Sequence, residues 1–134
     1  MTVEKVHELG LAGQDDVVLV RQAVRSAAVE IGLSLIDQTK VVTAASELAR
    51  NTVVHGGGGL ARVEIINDNS RRGLRLTCED QGPGIPDIEK AMTDGYTTGG
   101  GLGLGLGGAK RLSNEFQIES TPGKGTRVII TRWK

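Results

Sequence analysis

Aromatic residues are nearly absent: one Trp, one Tyr and one Phe make up 2% of the 134 residues. A core of stacked rings is excluded, so Val, Ile, Leu and Ala must fill the interior. Cysteine occurs once, at Cys78, which excludes an internal disulfide and fits a reducing compartment. Its surroundings, RLTCED, read as strand, making Cys78 a small buried hydrophobe. Neither charge is in excess: sixteen basic and sixteen acidic residues give a formal net charge of zero. That balance gives no sign of a nucleic-acid footprint or a membrane-surface patch. No apolar run approaches the roughly 18 residues a membrane span needs, and no secretory leader pattern is present. The expectation is one cytoplasmic domain covering residues 1–134.

What is plentiful is glycine. Eight of the twenty glycines fall between Gly95 and Gly108, in GYTTGGGLGLGLGG. Glycine lets backbone approach other groups closely, at the largest entropy cost of any residue. A flexible linker would use such a run, but Leu102, Leu104 and Leu106 alternate within it, which linkers do not ordinarily show. The competing use is an anion cradle, where free backbone N–H groups face phosphate oxygens and no side chain intervenes. Gly103 to Gly108 spells G-x-G-x-x-G, yet MTDGYTTGG is a poor strand to precede a dinucleotide fingerprint. TPGKG also stands where its ribose-binding acid should be. The Walker pattern is missing, because Gly123-Lys124 is followed by Gly125. Glycine spacing alone reaches a phosphate loop of unspecified type.

Around this segment the chain alternates helix and hairpin signals. TVEKVHEL alternates weakly as a strand. From Gly13 to Leu33, Val17, Val20, Val24, Ala27, Ala28 and Ile31 recur at helical spacing, with Asp15 and Asp16 in the first turn and Gly32 at the end. A second helix is expected from about Asp37, taken as its N-cap, to His55, stopped by the four glycines at 56–59. LARVEIIN and LRLTCED form a hairpin around DNSRRG, and IEKAM a short helix. AKRLSN forms a helix directly behind the glycine segment. EFQIES and TRVIITRW form a second hairpin around TPGKG. This order implies an α/β fold of two layers, with helices on one face of a mixed, largely antiparallel sheet.

Two further clusters carry possible chemistry. Glu79-Asp80-Gln81-Gly82-Pro83-Gly84 leaves a strand through a rigid turn. It is either a solvated acid pair or a carboxylate aimed at a ligand amine, for which adenine is the obvious donor. In ASELARNTVVHG, Glu47, Asn51 and His55 share one helix face at i, i+4, i+8. They form either the solvent face of an amphipathic helix or a polar site wall. No second His or Cys stands at zinc-ligand spacing. An Asn oxygen together with phosphate oxygens would suit Mg²⁺, and Glu47 one turn away could accept a proton from a hydroxyl.

E-x-x-x-N-x-x-x-H on a helix, D-x-G-x-G after a strand and G-x-G-x-G before a helix, in that order, resemble the GHKL ATP-binding superfamily of gyrase, Hsp90, the histidine kinases and MutL. Within it, SELARNTVVHGGGG, CEDQGPGIPDIEKAM and DGYTTGGGLGLGLGGAKRLSNEF resemble the bacterial anti-sigma-factor serine kinases and the switch kinases of stressosomes. The resemblance covers essentially the whole chain. It implies a two-layer sandwich with Glu47 as general base and Asn51 as the Mg²⁺ ligand. It assigns Asp80 to the adenine amine, with Gly82 and Gly84 shaping its turn, and Thr126 to support of the adenine end. Gly101, Gly103 and Gly105 become the phosphate loop, and the stretch from Gly95 to Gly108 an ATP lid. Lys110 stands either as an ordinary exposed lysine or as a neutraliser of phosphate charge, and His55 receives no catalytic role. The implied activity is ATP-dependent phosphorylation of Ser or Thr on STAS-domain antagonists, followed by activation of a PP2C-type phosphatase through binding. The other implied function is an anti-sigma module that sequesters its target and uses ATP as a structural ligand. A histidine kinase would need a dimerisation helix pair carrying a phosphoacceptor His, which is not expected here because His7 falls in a strand.

Overall fold

The computed structural model describes residues 1–92 and 105–134. The elements are β1 (Thr2–Leu11), α1 (Gln14–Glu30), α2 (Leu35–Val54), β2 (Gly59–Asp68), β3 (Arg71–Asp80), α3 (Ile88–Ala91), α4 (Gly105–Arg111), β4 (Glu115–Thr121) and β5 (Gly125–Trp133). The five strands lie in the order β1-β2-β3-β5-β4, and every pairing is antiparallel. The expected mixed sheet is thus antiparallel throughout the described residues. No parallel pairing arises, because β5 reaches β3 by way of the β4–β5 hairpin.

One face of the sheet carries the apolar side chains. Ala61, Val63, Ile65, Leu74, Leu76, Cys78, Val128 and Ile130 are buried and pack with Val20, Val24, Ala28, Val41, Ala44, Ala45 and Leu48 of α1 and α2. Branched and small side chains fill this interior, as the lack of aromatics requires. Each fully buried Val, Leu or Ile contributes roughly 1.5–3 kcal/mol. The helical spacing in α1 does put Val17, Val20, Val24, Ala27 and Ala28 on one buried face. Asp16 adds a cap, accepting the N–H groups of Ala12 at 2.8 Å and Gly13 at 3.2 Å. Among the described residues, no helix is long and apolar enough to cross a membrane.

Two local expectations are corrected. Ser34, not Asp37, is the N-cap of α2, its Oγ accepting the Asp37 N–H at 3.1 Å. Asp37 instead accepts from Arg132 Nη2 at 2.7 Å, and Arg132 Nη1 donates to the Leu112 carbonyl at 3.3 Å. This largely buried guanidinium, near the end of β5, thereby ties the first turn of α2 to the residue that follows α4. The helix expected to start behind the glycines starts among them, at Gly105, with Leu106 and Ala109 buried. Burial of those two side chains outweighs the poor helix propensity of glycine.

Candidate functional site

The helices and the sheet converge on a cavity of about 170 Å³, lined among others by Asn51, His55, Gly56, Asp80, Gly84, Gly105 and Thr126. Three sequence segments that lie far apart thereby meet. Asp80 closes β3 and Thr126 is the second residue of β5, and the two are directly paired across the ladder. Asn51 comes from α2, whose 20 residues run across the sheet.

The floor is clamped at backbone level. Asp80 Oδ1 accepts the Gly82 N–H at 2.9 Å, so the carboxylate is held by its own turn. That turn is docked on the β4–β5 hairpin. The Ile85 N–H donates to Ser120 Oγ at 2.7 Å, and the Gly123 N–H donates to the Pro83 carbonyl at 2.7 Å. Ser120 Oγ lies 2.8 Å from Thr126 Oγ1. Gly84 adopts φ +77, and a Cβ there would stand 2.4 Å from the Thr121 carbonyl oxygen. On the other side the end of α2 presses in: a Cβ on Gly56 would stand 2.4 Å from Asp80 Cγ, and one on Gly82 would stand 2.7 Å from the Gly56 carbonyl oxygen. Gly56 therefore does more than stop a helix; its lack of a side chain lets α2 close onto the carboxylate. Gly56 and Ser120 were missed in the sequence. The only signals available were one glycine among four and a serine six residues before Thr126.

The wall is a helix face. Glu47 is buried at 6% exposure, Asn51 is half-buried, and His55, the C-cap of α2, is exposed. The i, i+4, i+8 stripe therefore runs from the interior to the surface, and a purely solvent-facing stripe is excluded. Glu47 lies one turn before Asn51 and is not part of the cavity lining itself. Lys110 is exposed on α4 and does not line the cavity either. Gly101 and Gly103 lie outside the described residues, as does most of the stretch expected to be a lid, whereas Gly105 to Gly108 are buried in α4.

Cys78 is itself part of the cavity lining, at 2% exposure, and burial pushes its thiol up to about 12, with a hydrogen bond to Thr52 opposing the shift. It is therefore protonated packing material and not a nucleophile. Among the described residues, no group of three or more His, Cys, Asp or Glu side chains could hold a metal ion. An ion here would draw on Asn51 together with ligand oxygens and water, a donor set of hard oxygens that fits Mg²⁺.

A family model described as histidine kinase-, DNA gyrase B-, and HSP90-like ATPase matches residues 36–134. The serine/threonine-protein kinase RsbT of Bacillus subtilis (strain 168) is 48% identical over 118 residues, 88% of this chain and 89% of that protein. The anti-sigma F factor of Thermoanaerobacter sp. (strain X514) is 34% identical over 119 residues, 84% of this chain and 82% of that protein. Among solved structures, the RsbU and RsbW domains of a Mycobacterium tuberculosis protein share the fold with a TM-score of 0.67 at 22% identity, over 97% of this chain and 33% of that one. The SiaB–SiaC complex of Pseudomonas aeruginosa gives 0.51 at 12% identity, over 98% of this chain and 91% of that one. The chain belongs to the histidine kinase-, DNA gyrase B- and HSP90-like ATPases, the GHKL family, in the branch that holds the serine/threonine kinase RsbT and the anti-sigma F factors.

Proposed function

We propose that this chain is a single-domain, cytoplasmic partner-switching kinase. It would transfer the γ-phosphoryl group of ATP to a Ser or Thr of a STAS-domain antagonist and act on a PP2C-type phosphatase by binding. The observation that carries the nucleotide site is the convergence of Asn51, Asp80, Gly84, Gly105 and Thr126 on one cavity. The 48% identity to a serine/threonine kinase across most of both chains favours catalysis over sequestration.

Asp80 accepts from the adenine amine. Its Oδ1 is already held by Gly82, so the orientation precedes binding and need not be imposed by the ligand. Gly82 and Gly84 keep side chains out of the turn, and Thr126 supports the base from the neighbouring strand. Asn51 offers its side-chain oxygen at the phosphate end. Mg²⁺, when bound, would neutralise charge developing on the phosphates. Gly101, Gly103 and Gly105 are the backbone donors proposed for the phosphates, and Lys110 would add to neutralisation from a greater distance. Glu47 accepts the proton of the acceptor hydroxyl as its oxygen forms a bond to the γ-phosphorus. The bond to the β,γ-bridging oxygen breaks, and ADP leaves. Glu47 is buried and stands one helical turn before Asn51, which supports the pairing of a base with the proposed metal ligand.

Calorimetry of the full chain with ATP, with and without Mg²⁺, tests the site. Mg²⁺ should tighten binding in the wild type and have no effect in Asn51→Ala. Magnesium dependence that survives the substitution would remove Asn51 from the site. Transfer from γ-labelled ATP onto proteins co-purified from the native host tests the reaction, and label on a STAS-domain protein is the expected result. Tight binding of a sigma factor with no labelled product would favour the sequestering module.

A further inference from the structure

Thr126 and Asp80 are adjacent on neighbouring strands and line the same cavity. A carboxylate can only accept. A threonine hydroxyl can donate or accept, and which it does depends on where its single proton is spent. Ser120 is the neighbour that decides this.

Ser120 Oγ stands at a junction of three elements. One of its lone pairs takes the Ile85 N–H at 2.7 Å. Its remaining capacity is one proton and one lone pair, and two oxygens are in reach: Thr126 Oγ1 at 2.8 Å and the Gly125 carbonyl at 3.3 Å. Hydroxyl hydrogen bonds cluster near about 2.7–2.8 Å and rarely exceed about 3.0 Å. The carbonyl is thus the weaker claimant, and the Ser120 proton is better placed on Thr126. Thr126 then keeps its own proton for the cavity. Were the Ser120 proton on Gly125 instead, Thr126 would donate to Ser120 and show the cavity only lone pairs.

We propose that Ser120 is a positioning residue that fixes the hydroxyl of Thr126 as a donor into the cavity, so that Thr126 and Asp80 together present a donor beside an acceptor. The pattern discriminates between purines. Adenine offers an amine donor at C6 and an acceptor at N1, whereas guanine offers a carbonyl acceptor at C6 and an N–H donor at N1. A donor–acceptor pair whose acceptor is an immovable carboxylate matches the first and opposes the second. Without Ser120 the Thr126 hydroxyl rotates freely and can accept from guanine as well as donate to adenine. The proposal rests on the reading of the cavity as an ATP site.

The test is the ratio of ATP to GTP affinity, measured by calorimetry on the full chain for wild type, Ser120→Ala, Ser120→Thr, Thr126→Val and the Ser120→Ala/Thr126→Val pair. Ser120→Ala should reduce the ratio about tenfold, the loss of one buried hydrogen-bond preference. It should raise KM for ATP while leaving kcat within about twofold. Ser120→Thr, which keeps the hydroxyl, should restore the ratio. In the Thr126→Val background Ser120→Ala should change the ratio no further, because its effect passes through Thr126. A merely structural serine would lower stability and both affinities alike, with the ratio intact in every background, and that result overturns the proposal. If Ser120→Ala does not fold, Ser120→Cys, a weak donor of similar shape, must show a reduced ratio, and an unchanged one overturns the proposal equally. A wild type that binds ATP and GTP equally refutes the reading of Asp80. A wild type that prefers ATP together with an unaltered Ser120→Ala refutes Ser120 alone.

Discussion

The floor and the wall of the cavity are built on different principles. On the floor, Asp80 is tied to Gly82, Ile85 to Ser120 and Pro83 to Gly123, and three adjoining glycines, Gly56, Gly82 and Gly84, have no room for a Cβ. On the wall, Asn51 stands in the last turn of a long helix with Glu47 buried one turn before it, and both owe their placement to the packing of α2 against α1 and the sheet. The difference matches what each end would do under the proposed function. Selecting a base requires polar atoms fixed before the ligand arrives. Moving a phosphoryl group requires a carboxylate close to a metal ligand, which helix spacing alone provides. Loss of the Glu47 carboxylate should therefore remove chemistry and spare binding, whereas damage to the floor should remove binding or the fold itself.

Glu47→Gln should break the comparison most sharply. The amide keeps shape and volume but cannot accept the hydroxyl proton, so transfer should fall by roughly 10²–10⁴-fold, the usual contribution of a positioned base. ATP affinity should stay within about threefold of wild type. Single-turnover transfer and calorimetry on the same sample separate the two quantities. A mutant that transfers at the wild-type rate would dismiss Glu47 as base.

Next in size is Gly84→Ala, on the floor. The residue holds φ +77, and the new methyl would collide with the Thr121 carbonyl oxygen. Backbone strain plus that collision should cost about 3 kcal/mol or more of stability, read as a lower denaturation midpoint at unchanged m-value. Alanine at Lys110, exposed on α4, is the matched control and should move stability by less than about 0.5 kcal/mol. If Gly84→Ala were as stable as wild type, the floor would be looser than its contacts imply.

Most of this architecture could be read along the chain, and the failures have a common cause. The spacing in α1 and α2 and the two hairpins followed from periodicity, because those elements bury one face against a single layer. Asn51, Asp80 and Thr126, which line one cavity, each stand in a motif visible in the sequence. That Asp80 and Thr126 face each other was not, since it depends on β5 pairing with β3 after β4 has taken the edge. Ser120 is invisible for the same reason: its partners, Ile85 and Thr126, meet only when that sheet closes. Gly105 was read as loop because glycine run and helix start share one composition, and tertiary burial of Leu106 and Ala109 decided between them. Asp37 was misread as a cap because Ser34 and Asp37 are both good N-cap residues, and the true use of Asp37 is set by Arg132, 95 residues away.

Asp80→Asn probes the floor more gently. The amide oxygen can still accept the Gly82 N–H, so the turn should survive. The charge-assisted bond to an adenine amine is lost, and the amide can present a donor in its place. ATP affinity should fall about tenfold and the preference over GTP should narrow, as expected when a hydrogen bond to a charged group is replaced by a neutral one. Equal losses for ATP and GTP would show that Asp80 stabilises the cavity without reading the base.

The smallest effect concerns Cys78, which lines the apolar side of the cavity, and it tests whether that side is dry. Burial raises the thiol from an ordinary value of 9.0 to about 12 in the folded chain. Below pH 9 both folded and unfolded chains keep the proton, and the thiol contributes no pH dependence. Between pH 9 and 12 the unfolded chain releases it while the folded chain holds it. The unfolded state then binds fewer protons, and stability falls as pH rises, by up to about 1.4 kcal/mol per pH unit. Denaturant melts at pH 8 and pH 10 should show this loss in the wild type and a flatter dependence in Cys78→Ala, whose cavity penalty is the same at both values and cancels in the slope. Equal slopes would mean that water reaches the sulfur through the cavity it lines.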